Sequence, residues 1–152
     1  MIIREAAADD RRWAAALMAA SEPWITLGRT YEICLRNCQS ALDEIHVAWV
    51  GAERCGFTLV RERGVAGAPY LVSIAVADAW RSRGIGAELL AAFERRFTGR
   101  YRHVFLCVSS FNPRARALYE RHGYRVVGVL DDFIIDGADE ILMAKRLPAA
   151  GR

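Results

Sequence analysis

The sequence is short of several things, and each shortage removes a class of protein. No apolar run approaches the ~18 residues that cross a bilayer as a helix, so no membrane span is expected. The opening stretch, MIIREAAADDRRWAAALMAA, puts acidic and basic residues ahead of its apolar part and lacks a secretory layout. A cytoplasmic location is therefore expected. Cysteine is sparse: Cys34 and Cys38 lie four apart, and Cys55 and Cys107 stand alone, so no paired zinc-ligand spacing occurs. Buried thiols in a reducing compartment are the expected state. His103 and His122 have no metal partner at ligand spacing, and no metal site is expected. The net charge of +3 is too small to imply a nucleic-acid partner. Linkers, repeats and low-complexity blocks are absent, so residues 1–152 are expected to form one domain.

What is present describes a globular chain. Hydrophobic residues make up 53% and charged residues 26%, and a chain of this length buries roughly 70% of its unfolded surface. Charge is unevenly placed. From Arg81 to Arg125 there are ten arginines against Glu88, Glu94 and Glu120, whereas Val129 to Glu140 holds five acids and no basic residue. One part of the fold suits an anion and another a cation; an ordinary solvated surface is the alternative.

Periodicity sets the elements. MIIREA reads as a short strand, and Asp9 and Asp10 suit the start of a helix with Trp13 and Leu17 on one face. After the loop SEPWITLG comes a second helix, with Tyr31, Cys34, Leu35, Cys38 and Leu42 on one face. In EIHVAWV, Ile45, Val47 and Trp49 alternate with Glu44, His46 and Ala48, as in a half-buried strand. CGFTLVRER follows, and YLVSIAVA is apolar nearly throughout, which suits a central strand covered on both faces. GIGAELLAAFERRF is a helix with Leu90, Phe93 and Phe97 at helical spacing, and RHVFLCVSS is a buried strand. Asn112 suits an N-cap, Pro113 the first helical position and Gly123 the position after the helix end. YRVVGVLDDFIID and EILMAKRL close the chain as a hairpin turning at Asp136-Gly137. The order is βααβββαβαββ, an α/β (α+β) arrangement of a mixed sheet with helices packed on it.

The stretch RSRGIG, from Arg81 to Gly86, joins a strand to a helix. A nucleotide P-loop would end in Gly-Lys-Ser/Thr, and a dinucleotide fingerprint would need a third glycine and a following acidic residue. Neither context is met. A helix N-terminus with open backbone N–H groups beside glycines is an anion site in its own right. The larger pattern is more specific. Ile74-x-Val76, then Arg81-x-x-Gly84-x-Gly86, then Ala87-x-Leu89-Leu90 closely resembles the acetyl-CoA signature of the GNAT superfamily of N-acetyltransferases. Leu106-x-Val108, then Asn112-x-x-Ala115-x-x-Leu118-Tyr119, then Gly123-Tyr124 resembles its second signature.

The resemblance implies a mostly antiparallel sheet of about seven strands with four helices and splayed central strands. It implies that acetyl-CoA is the co-substrate, with its pyrophosphate on the backbone of Arg81, Ser82, Arg83, Gly84, Ile85, Gly86 and Ala87. Its pantetheine arm would then lie beside Ile74, Ala75 and Val76, in contact with Asn112 and Tyr119. Asp78 stands where the family pattern often has proline.

Amine acetylation requires loss of a proton from an ammonium of pKa about 10.4, donors for an oxyanion and a proton for the departing thiolate. The resemblance assigns the last to Tyr119 as general acid, and the backbone N–H of Val76 is the candidate oxyanion donor. Ser73 occupies the position where many members carry a glutamate base. Glu32, Asp43, Glu44, His46 and Asp131 are candidates to act through a water, or no single base is needed. The acceptor would enter between SEPWITLGRTY and DDFIIDGADE, where Trp24 and Tyr31 offer apolar surface and Asp131, Asp132, Asp136 and Asp139 offer charge for a cation. A primary amine of a small molecule or peptide is expected, with a homodimer plausible from the hydrophobic strand edges. The alternative is an inactive acetyl-CoA-binding regulatory or partner protein.

Overall fold

Seven strands and four longer helices alternate along the computed structural model, which describes residues 1–150. They are β1 (Ile2–Glu5), α1 (Ala8–Ala19), α2 (Tyr31–Cys38), β2 (Glu44–Val50), β3 (Glu53–Val65), β4 (Ala68–Val76), α3 (Ile85–Phe97), β5 (His103–Ser109), α4 (Pro113–Arg121), β6 (Arg125–Ile135) and β7 (Ala138–Arg146). The order is the one expected. All strands join one sheet in the order β1-β2-β3-β4-β5-β7-β6, antiparallel except where β4 meets β5. No helix among the described residues is long and apolar enough to cross a membrane.

Alternate residues of the strands feed separate cores on the two faces. Ile45, Val47, Phe57 and Leu59 pack with Ala14, Ala15 and Met18 of α1 and with Cys34 and Cys38 of α2. Leu90, Phe93 and Phe97 of α3 pack on the other face with Leu71, Val104, Leu106, Val108 and Met143. Each large side chain fully buried in this way contributes about 1.5–3 kcal/mol. Burial pushes the Cys38 thiol up to about 12, so it stays protonated, and all four cysteines are free.

Trp13 and Leu17 both pack on the core beneath α1, as expected, flanking the buried Ala14, Ala15 and Met18. Two local expectations need correction. Leu42 lies beyond the end of α2 and is 72% exposed, because the helix stops at Cys38. Alternation in β2 breaks at its end, where the register skips Cys55 between Ala48 and Trp49. This bulge turns Ala48 and Cys55 into a third small core with Ile85 and Leu89. It leaves Trp49 at the edge beneath the guanidinium groups of Arg4 and Arg54, at 4.3 and 4.9 Å from its ring centre.

A second bulge positions the site. Leu59 pairs with Ser73 but Val60 pairs with Leu71, so Val72 is an extra residue in β4. A bulge bends its strand and increases its twist. Pairing between β4 and β5 ends at the same place: only Tyr70 with Phe105 and Leu71 with Leu106 are partnered. Both strands continue, to Val76 and Ser109, without meeting again. The expected splay of the central strands is present.

The Asp43 carboxylate is buried below this region and accepts hydrogen bonds from Arg61 Nε at 2.7 Å and Nη2 at 2.9 Å. Removing one member of such a pair strands the other without its counter-charge. Asp43→Ala should lower the unfolding free energy by about 2 kcal/mol in a urea titration, with Arg61 partly rehydrated. A loss below about 0.5 kcal/mol would mean the pair is unimportant to the fold.

Candidate functional site

The chain leaves β4 through a short 3-10 turn at Asp78–Trp80 before entering α3. Asp78, which departs from the expected proline, pairs with Arg81 at 3.0 Å and so braces this turn. Gly84 caps α3 with φ +80°, a left-handed conformation that favours glycine, and the first residue bonded back within the helix is Glu88, to the Gly84 carbonyl at 3.1 Å. The amides of Ile85, Gly86 and Ala87 are therefore left open at the positive end of the helix dipole. A groove of about 560 Å³ lies over them, lined by Val76, Arg81, Ser82, Gly84, Ile85, Gly86, Ala87 and Asn112. Arg114 and Arg121 of α4 line it from the far side, and Arg114 Nη2 donates to Ser82 Oγ at 2.9 Å.

This groove adjoins a second cavity of about 250 Å³, and the two share Glu22, Asn112 and Ala115. Leu71, Ile74, Val108 and Tyr119, whose neighbours are the α3 and α4 core, line it together with Tyr70, Val72, Ser73, Cys107, Ser109 and Glu140. Residues from both faces of a sheet can border one cavity only where the strands have parted. Met18, Glu22, Trp24, Leu27 and Arg29 of the α1–α2 segment roof it.

Asn112 belongs to both spaces and has a structural duty as well. Its Oδ1 accepts from the Ala115 amide at 3.3 Å, capping α4 as expected, so the amide nitrogen is the end left for a ligand. Tyr119 reaches the inner cavity from α4. Burial alone pushes its hydroxyl well above the ordinary tyrosine value, with no hydrogen bond or charge from a neighbour contributing. A phenol in this state keeps its proton at neutral pH. Tyr70 and Cys107 face each other across β4 and β5, and burial raises both, so they too are neutral.

The expected residues separate into those brought together and those kept apart. Ile74, Val76, Arg81, Ser82, Gly84, Ile85, Gly86, Ala87, Asn112, Tyr119 and Trp24 all border the adjoining spaces. Ala75 does not, since it packs toward the α1–α2 core. Arg83 also lies outside, over the Trp80 ring at 5.0 Å. Tyr31 and Asp131 line neither space and are exposed. Two of the four hairpin aspartates are committed to backbone: Asp139 accepts from the Asp132 amide at 3.1 Å, and Asp132 from the Gly137 amide at 2.6 Å.

The candidate bases fare no better. Asp43 is held by Arg61, Glu44 pairs with Arg96, His46 sits opposite Glu5 of β1, and Glu32 is exposed on α2. Arg114, Arg121, Arg29, Tyr70 and Glu140 are the site residues that sequence reasoning missed. Glu140 could have been suspected as the last acid of the 129–140 run, on a strand rather than in the turn.

Gly84 and Gly86 separate fold from binding. A methyl group at Gly86 would meet only Leu118 and Val76 at 3.7 and 3.8 Å, which is ordinary contact. Gly84→Ala should therefore cost about 1–2 kcal/mol in thermal or urea unfolding. Gly86→Ala should leave unfolding unchanged while weakening CoA binding, measured calorimetrically, by about tenfold. Equal effects of the two substitutions on both readouts would contradict this division.

The sequence profile of the acetyltransferase (GNAT) family matches residues 7–124. An N-alpha-acetyltransferase of Saccharolobus solfataricus is 38% identical over 80 residues, which are 51% of this chain and 48% of that protein. The chain spans about half the length of the curated relatives it matches. Among solved structures, an aminoglycoside 6'-N-acetyltransferase complexed with coenzyme A superposes with a TM-score of 0.79 at 18% identity, covering 100% of both chains. The ribosomal-protein-S18-alanine N-acetyltransferase of Escherichia coli superposes with a TM-score of 0.73 at 21% identity, covering 99% of this chain and 96% of that one. At such identities the structures speak for the fold, and the profile speaks for kinship: the chain belongs to the GNAT family of acetyltransferases.

Proposed function

We propose that this protein moves an acetyl group from acetyl-CoA to a primary amine by direct transfer within a ternary complex. The observation that carries the reading is that the two spaces adjoin and share Asn112 and Ala115. An arginine-rimmed groove over the open amides of α3 adjoins, at Asn112, a cavity between the parted strands where Tyr119 ends. The pyrophosphate of CoA suits the first, and the thioester on its arm suits the second. Arg81, Arg114 and Arg121 are placed to answer phosphate charge. Tyr119, protonated at neutral pH, is the general acid for the thiolate, and a backbone N–H near Val76, where β4 has lost its neighbour, is the oxyanion donor.

For the acceptor, the inner cavity holds the carboxylates of Glu22 and Glu140 with Trp24 beside them. That composition suits a cationic amine on a small body or at a chain terminus. The similarity to an N-alpha-acetyltransferase supports a peptide amino terminus, and the fold shared with an aminoglycoside enzyme supports an amino sugar. The four free thiols suit action in the cytoplasm. β6 is an edge strand that exposes Val127, Val129 and Phe133, and a second copy of the chain would cover it.

CoA release from acetyl-CoA, read by thiol detection over peptides, amino sugars and polyamines, should show turnover on one acceptor class. Tyr119→Phe should lower kcat by about 100-fold or more with the Kd for acetyl-CoA unchanged. Acetyl-CoA binding without release on any acceptor would instead favour a binding protein. Light scattering should give twice the chain mass, and Phe133→Glu should return it to one chain.

A further inference from the structure

The inner cavity contains a carboxylate that no part of the GNAT signatures accounts for. Glu140 of β7 pairs in register with Ser109 of β5, and Leu142 pairs with Cys107. Antiparallel partners share a face, as do residues two apart. Glu140, Ser109 and Cys107 therefore stand together, with Tyr70 adjoining from β4, and all four line the cavity. Glu140 Oε2 and Ser109 Oγ are both shielded from solvent and have no hydrogen-bond partner among the described residues. An unsatisfied buried polar group costs about 1–3 kcal/mol, more when it is charged.

Glu140 makes no salt bridge among the described residues, although Arg29 lies near enough for its charge to act on the carboxyl. The other carboxylate of the cavity, Glu22, is exposed and already accepts from the Thr26 amide at 3.2 Å. The vacancy left by Ser73 on β4 is thus matched by an acid with one buried oxygen free of hydrogen bonds, two strands away across the same gap.

We infer that Glu140 receives the ammonium group of the acceptor and is the base that deprotonates it, a role that rests on the acetyl-transfer reading above. The ammonium gives one proton to the Glu140 carboxylate, and the freed nitrogen pair forms the N–C bond at the thioester carbonyl. The C–S bond then breaks, and the thiolate takes the Tyr119 proton. The second nitrogen proton restores the Tyr119 hydroxyl, and Glu140 returns its proton to solvent. One amide, one CoA thiol and one proton result.

Burial pushes the Glu140 carboxyl up from its ordinary value, while the Ser109 hydroxyl and the Arg29 charge pull it down. The net upward shift makes it a stronger base than an exposed carboxylate. The groups that share its cavity are Tyr70 from β4, Cys107 and Ser109 from β5, Arg29 and Glu22 from the α1–α2 segment, Tyr119 from α4 and the apolar Ile134 from β6. Tyr70, Cys107 and Tyr119 are all raised by burial and so are neutral at neutral pH. The carboxylate is the active form, so kcat/KM rises with pH through the Glu140 pKa.

The test compares wild type with Glu140→Gln and Glu140→Asp on L-alaninamide, a short peptide and spermidine, from about pH 5 to about pH 9. Calorimetry gives the Kd for acetyl-CoA, and carbon-13 NMR follows the Glu140 carboxyl as each amine is added with CoA present. Glu140→Gln should reduce kcat/KM by about 100-fold near neutrality and by less at high pH, where free amine needs no base. Its Kd for acetyl-CoA should stay at the wild-type value, Glu140→Asp should retain part of the rate, and the wild-type carboxyl resonance should move with the amine that is turned over. Wild-type kcat/KM and pH profile in Glu140→Gln would overturn the inference. If wild type releases CoA with none of these amines, the acetyl-transfer reading fails on them. The resonance then decides Glu140 alone, a shift supporting the ammonium site and no shift overturning it.

Discussion

Beyond Leu71 and Leu106, β4 and β5 are not paired with each other, although both strands run on for several more residues against β3 and β7. Parallel strands at the centre of a sheet normally satisfy each other along their length, because buried backbone groups left unpaired are costly. Here the extra residue Val72 bends β4 where the pairing stops. The backbone edge exposed by that bend, the cavity in the gap and the access of Tyr119 to it all depend on this parting. So does the mixing of side chains from both sheet faces around one space. A site that needs backbone donors and a narrow slot obtains both from one interrupted ladder.

The uneven charge along the sequence becomes a spatial division. Arginines of the 81–125 region contribute Arg81, Arg114 and Arg121 to the groove over α3. Others serve the fold: Arg96 pairs with Glu44, Arg100 with Glu62 and Arg116 with Glu120. The acidic run behaves in the same mixed way. Asp132 and Asp139 stabilise the hairpin backbone, while Glu140 is the acid of that run that lines the inner cavity. Linear clusters of charge thus mark a region, and strand alternation decides which member faces a ligand.

Helix termini show how local chemistry and ligand geometry coincide. Asn112 caps α4 with one end of its amide and borders both spaces with the other. Gly84 is required by a left-handed turn, whereas Gly86 has room for a methyl group within the protein itself. A short residue kept where the fold does not need it points to something outside the chain approaching the backbone.

Periodicity, caps and turn residues determined the order of elements, the N-cap at Asn112, the turn at Asp136-Gly137 and the glycine-capped helix start in the segment from Arg81 to Ala87. These are local properties, set by backbone conformation and by the spacing of apolar side chains over a few residues. Tertiary structure decided the rest. The bulges at Cys55 and Val72 carry no local signature, because an extra residue in one strand is defined only against its partner. The commitment of Asp43 to Arg61 and of Glu44 to Arg96 likewise depends on chains 18 and 52 residues apart meeting in space. For the same reason the acid of the inner cavity was not legible: Glu140 reaches it through its register with Ser109, and register belongs to the sheet rather than to either strand alone.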